Sequence, residues 1–134
     1  MKRSEQWPKL LYEFIEERRF QPFAWSSNDC CIFAADWVRL CTGQDFADEM
    51  RGRYSSALGA FRILVRHRGI IGLVSNHAKL TPVPLRMMQR GDIVACESRT
   101  GLALGIGLGP VAAFVNRDGL IFPDVQLLTH CWTF

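Results

Sequence analysis

The sequence has no run of the roughly 18 apolar residues that a membrane-crossing helix requires, so no membrane span is expected. Behind Lys2 and Arg3 there is no apolar stretch of the kind a secretion signal carries. Synthesis in a cytoplasm is the expectation that follows. Long blocks of like charge are missing as well. The formal net charge is +3, and the basic residues fall in short groups, Lys2-Arg3, Arg18-Arg19 and Arg66-His67-Arg68, with no aromatic ladder beside them. That pattern argues against nucleic acid as a partner. The five cysteines contain no Cys-x-x-Cys pair; Cys30 and Cys31 are adjacent, and Cys41, Cys96 and Cys131 lack zinc-ligand spacing. Neither a disulfide framework nor a metal site is expected. Gly105, Gly107 and Gly109 alternate inside an apolar run instead of joining a strand to a helix, and no lysine or serine follows in Walker spacing. They form no phosphate-binding loop, and no cofactor is expected.

What is present is an ordinary globular balance, 49% apolar and 22% charged residues in a chain of 134. A single domain over residues 1–134 can bury a core without staples. The first half reads as helical. Leu10, Leu11, Phe14 and Ile15 recur at helical spacing behind Pro8, and a loop from Phe20 to Asn28 follows. The stretch from Cys30 to Leu40 is apolar around most of its circumference, with Asn28 or Asp29 suited to cap it and Gly43 to close it. It reads as a central buried helix. A third helix is predicted from about Ser56 to Arg68, with Leu58, Phe61, Ile63, Leu64 and Val65 as its apolar side. A short further turn of helix fits Gly69 to Asn76. Beyond Pro82 and Pro84, read as an extended connector, the texture turns β-like in five runs up to Phe134, with a hairpin signal at Asn116 to Gly119. Helices first and antiparallel strands afterwards define an α+β domain, its helices packed on a small C-terminal sheet. The alternating glycines predict a flat strand face against which a helix, or the Cys30 region, presses.

The segment richest in chemistry is Trp25-Ser26-Ser27-Asn28-Asp29-Cys30-Cys31. A cysteine in the first turn of a buried helix lies at the positive end of the helix dipole, among unpaired N–H groups, and both effects favour the thiolate. Those N–H groups can also form part of an oxyanion hole. Cys30 and Cys31 equally suit a plain apolar role in a core.

Asp29-Cys30 at the head of an apolar helix resembles the Asp-Cys-Ser-Gly motif of papain-like peptidases of the NlpC type. Arg90-Gly91-Asp92-Ile93-Val94 resembles their Pro-Gly-Asp-Leu-Val segment. Ala103-Leu104-Gly105-Ile106-Gly107-Leu108-Gly109 resembles the His-Val-Gly-Ile-Tyr-Leu-Gly strand that carries their histidine. The resemblance implies a papain-like fold with Cys30 at the nucleophile position and Ala103 in place of the histidine. Asn116 is the nearest polar residue for the third, orienting role. An alanine can neither activate a thiol nor protonate a leaving amine. His67, His77 or His130 would have to be recruited for Cys30 to cleave anything. The strings 28 to 38, Arg51-Gly52-Arg53-Tyr54, Ala112-Ala113-Phe114 and Asp118-Gly119-Leu120 also resemble a family of small phage and prophage proteins. That resemblance implies a virion component of the phage tail tip, partnered by tail hub or tail-tip proteins. An active cysteine peptidase or amidase cutting peptidoglycan peptides is the alternative.

Four tryptophans and nine phenylalanines supply potential contact anchors. Trp7, Phe20, Phe23 and Trp25 are expected to gather around the loop before the cysteine helix. Trp7, Trp25, Arg51 and Arg53 are the candidate partner-binding residues, with packing and solvated arginines as the plain alternative.

Overall fold

The computed structural model describes residues 1–134. Helix α1 covers Trp7–Arg18, begins around Pro8 and buries Leu11, Phe14 and Ile15. Helix α2, Cys30–Thr42, starts where Asp29 leaves helical geometry and accepts the Ile32 N–H at 3.0 Å. It stops at Gly43, whose left-handed φ of 81° lets its N–H reach the Arg39 carbonyl. Helix α3, Ala57–Arg66, is capped by Ser56, which accepts the Gly59 N–H at 3.1 Å. Arg68 and Gly69 are both left-handed, which breaks the chain direction before the short helix α4, Gly69–Gly72. A wide-turned π segment, Leu73–His77, continues from it and buries Leu73 and Val74.

Six strands follow: β1 Thr81–Pro82, β2 Ile93–Ser98, β3 Gly101–Gly107, β4 Ala112–Asn116, β5 Gly119–Ile121 and β6 Leu128–Thr133. They form one sheet in the order β1-β6-β2-β3-β4-β5, and each named pair is antiparallel. The α+β class and the five C-terminal strands follow the sequence pattern. The connector differs from expectation, because Thr81 and Pro82 pair with Thr133 and Trp132 as an edge strand. Proline is tolerated there, where one side of the strand needs no ladder bond. The hairpin at Asn116 to Gly119 joins β4 to β5.

Strand alternation sorts the sheet residues onto two faces. Ile93, Ala95, Leu104, Ile106 and Trp132 join the main core with α1 and α2. Val94, Ala112, Phe114, Leu128 and Cys131 form a smaller cluster on the other face. The strand glycines lie on this second face, contrary to the expectation that a helix or Cys30 would press on them. A Cβ at Gly105 would sit 2.8 Å from the Phe114 ring and 2.4 Å from the Ala113 carbonyl. One at Gly107 would meet the Met88 sulfur at 2.7 Å, while Gly109 lies past the strand end. The glycines therefore make room for Phe114 and Met88.

One buried carboxylate joins the first and last segments of the domain. Asp92 is fully buried and accepts from the Arg3 guanidinium, from Thr133 Oγ1 at 2.8 Å and from the Gln89 N–H at 2.8 Å. Arg3 also donates to the Phe134 carbonyl at 3.0 Å and to the Arg90 carbonyl at 2.8 Å. Beside it the Trp37 indole of α2 donates to the Gly91 carbonyl at 2.8 Å. The Arg90-Gly91-Asp92 turn thereby fixes α2 against the start of β2.

Candidate functional site

β3 and β4 pair only at Ile106–Ala113 and Gly107–Ala112, whereas β3 stays paired with β2 along its length. Beyond those two pairs the strands separate. The first turn of α2 sits at this split, where the Cys30 thiol meets the backbone amide of Leu104. A groove of about 1130 Å³ opens from there, bounded by α3, by Trp25 and Tyr54, and by the split strands.

Cys30 and Ala103 both line this groove, as do Asn116 and Trp25. Four of the residues singled out from sequence thus border one groove, drawn from a helix, two strands and a loop, although Cys30 packs with the main core and Ala103 with the second-face cluster. Cys30 is half-buried and Cys31 buried. Contact with the Cys31 thiol, aided by the Leu104 amide, draws the Cys30 pKa below the ordinary thiol value, against burial and the Asp29 charge, which raise it. The same contact pushes Cys31 well up, together with burial. Burial raises Cys41 to about 11. Of the two adjacent thiols, Cys30 is the one poised to ionise.

Asp29 holds this arrangement in place. Its buried carboxylate accepts the Ile32 N–H, the Ser26 N–H at 2.9 Å and the Tyr54 hydroxyl. Ser26 is itself left-handed, with φ of 60°, which bends the loop tightly over the helix start. Tyr54 contacts Trp25, with ring centroids 6.3 Å apart, and Trp25 meets Phe23 edge-on at 4.7 Å. Burial and the hydrogen bond to Asp29 hold the Tyr54 phenol in its neutral form. Sequence reading missed Tyr54, since nothing local shows that a tyrosine 25 positions after Asp29 donates to it.

The three histidines lie away from the groove lining. His67 and His77 meet at a tilt of 54°, with centroids 4.5 Å apart, and His130 stacks on Trp132 at 5.7 Å. No imidazole therefore flanks Cys30. Asp36, one helical face along α2, is held by Arg18 at 2.5 Å and Arg51 at 2.6 Å.

The remaining residues singled out from sequence are dispersed. Arg51 bridges Asp36 and Asp45, donating to Asp45 through Nε at 2.8 Å and Nη2 at 3.0 Å, so its guanidinium is engaged within the chain. Arg53 is exposed beside it. Trp7 does not join the aromatic group before α2. It begins α1, half-buried against the main core, with the Arg3 guanidinium 5.0 Å from its ring. Phe20 is 82% exposed and also stands apart. Only Phe23 and Trp25 of the four expected aromatics sit at the cysteine helix.

An α+β domain with a cysteine at a helix N-terminus facing a split antiparallel sheet is thus the class of protein defined by the fold and site. The chain belongs to the family described as domain of unknown function DUF6950, whose profile matches residues 2–134. No curated protein matches the sequence significantly. None of the helices is long and apolar enough to cross a membrane.

Proposed function

We propose that the chain is a degenerate papain-like domain of the NlpC type that acts as a structural, non-catalytic component of a phage tail tip. The observation that carries the reading is the pairing of Cys30 with the alanine-bearing strand. Cys30 heads a buried helix and abuts β3 next to Ala103, and the groove they share holds no imidazole. A thiol so placed has the frame of a cysteine hydrolase without the base that moves the proton. The tail-tip setting rests on the resemblance to phage and prophage proteins. It is supported by a large open apolar groove, the kind of surface an assembly component presents to a neighbour.

A second reading, a cysteine peptidase or amidase acting on peptidoglycan peptides, is favoured by one observation. The Cys30 thiol is shifted toward ionisation and opens on that groove.

Two measurements on the same protein separate the readings. Tail particles purified from a phage-producing host are probed for the tagged chain, and the purified chain is incubated with cell-wall stem peptides beside its Cys30→Ala variant. Co-purification with tails and no Cys30-dependent cleavage is the expected outcome. Cleavage abolished by Cys30→Ala establishes the hydrolase, and absence from particles removes the tail assignment.

A further inference from the structure

Most residues lining the groove are apolar, and several remain uncovered. Leu58, Phe61 and Val65 of α3 are 58%, 63% and 56% exposed, and they fall at i, i+3 and i+7 on one face of the helix. Trp25 and Ile71 extend the same surface at 38% and 44% exposure. A monomer gains nothing from leaving this stripe in water, so it marks a contact surface.

Two features restrict what covers it. The charged side chains that line the groove are Asp29, Arg68 and Arg117. Asp29 is buried and fully engaged with Ser26, Ile32 and Tyr54, so the exposed charge is entirely cationic. Arg68 comes from the turn after α3 and Arg117 from the β4–β5 hairpin, on separate walls. The volume of about 1130 Å³ is at the top of the usual range of roughly 300–1,000 Å³ for small-molecule pockets, large enough for a peptide segment. An occupant with apolar anchors and carboxylates toward its ends satisfies both features.

Helix α1 of a second copy does not offer such a segment. The chain's exposed glutamates concentrate on α1, where Glu13 pairs with Lys9 and Glu16 with Arg19. The large apolar side chains exposed along that stretch are only Tyr12 and Phe20.

We infer that the groove between α3 and the β3–β4 split receives an apolar segment of a partner protein carrying carboxylates at its flanks. This deepens the structural reading above by giving the chemistry of the docked partner. Arg68 and Arg117 orient the segment through its carboxylates, while Phe61, Leu58 and Trp25 hold its apolar side chains.

The test uses fluorescent 14-residue peptides with a central Leu/Phe run, flanked in one set by Asp and Glu and in a matched set by Lys. Binding to the full chain is read by polarisation in 150 mM salt. The acid-flanked set is expected to bind at least ~10-fold more tightly than the Lys-flanked set. Phe61→Glu is expected to abolish binding, with an unchanged circular dichroism melt as the fold check. The double variant Arg68→Glu, Arg117→Glu is expected to reverse the preference between sets. Equal binding of both sets, or no binding of either, overturns the inference. Concentration-dependent dimerisation removed by Phe61→Glu overturns it in favour of a second copy. Binding to phosphatidylglycerol vesicles without peptide binding overturns it in favour of a lipid surface. Failure here is distinct from failure of the structural reading, which is decided by tail co-purification and stem-peptide cleavage.

Discussion

Helices α2 and α3 are both rich in apolar residues, yet they meet opposite fates. Eight of the thirteen residues of α2 are buried, whereas α3 buries none of its ten. The difference comes from what lies on each side. α2 packs on α1 and on β3, and its Trp37 is hydrogen-bonded to the turn before β2. α3 packs chiefly on α4 and leaves Leu58, Phe61 and Val65 facing the groove. Apolar content alone therefore says nothing about burial in this chain. One helix supports the fold, and the other presents a surface.

Substitutions test that contrast directly, beginning with the largest effect. Trp37→Ala removes a fully buried indole and its hydrogen bond, and is expected to destabilise the domain by about 3–5 kcal/mol in urea unfolding. A loss under 1 kcal/mol would mean that α2 is not the pillar described. Asp29→Ala strips the partner from the Ser26 and Ile32 N–H groups and from the Tyr54 hydroxyl, at an expected cost of about 2–3 kcal/mol. Tyr54→Phe should lose less, because the two N–H bonds remain.

Thiol chemistry sharpens the comparison within α2 itself. Because Cys30 is shifted down and Cys31 well up, iodoacetamide at pH 7 should alkylate Cys30 at least ~10-fold faster than Cys31. The Cys30 rate should fall only as pH drops through its lowered pKa. Mass-spectrometric labelling that is equal at both sites, or faster at Cys31, contradicts the arrangement.

A smaller effect concerns acid. The Arg51 hydrogen bonds hold the Asp45 carboxyl below its usual value. Its stabilising contribution is therefore complete above the unfolded carboxyl pKa, near 3.9, and disappears as pH falls through the lower folded value. Asp45→Asn should flatten the dependence of the melting temperature on pH below about 4, relative to the parent. The smallest effect belongs to α3. Phe61→Ser should change stability by no more than about 0.5 kcal/mol, since the side chain is 63% exposed. A larger loss would show that α3 is structural after all.

How far the sequence discloses this architecture depends on whether the signal is local. The capping of α2 by Asp29, its closure at Gly43 and the β4–β5 hairpin are each set by a few neighbouring residues, and each is legible. The meeting of Cys30 with the strand of Ala103 is not local, and only the resemblance to papain-like proteins pointed to both positions. Three things were illegible for physical reasons. The apolar side of α3 has helical spacing, which is the same whether a core or a partner covers it. The short strand at Thr81 and Pro82 depends on β6, about fifty residues away, offering an edge. Arg51 is ambiguous in sequence, solvated or partner-binding, because its partners within the chain, Asp36 and Asp45, come from α2 and the loop after it.

The carboxylate of Asp92 has a consequence for architecture on a larger scale. By gathering Arg3 and Thr133, with Arg3 reaching the Phe134 carbonyl, it sets the first and last segments of the domain side by side. β6, the last strand, lies between β1 and β2 inside the sheet, so the C-terminal end cannot peel away without opening two ladders. A unit with adjacent, anchored ends can be spliced into a surface loop of another protein without stretching either one. It can equally be permuted by a short linker between its ends and reopened at an exposed turn such as Asp118, with both clasp partners still in reach.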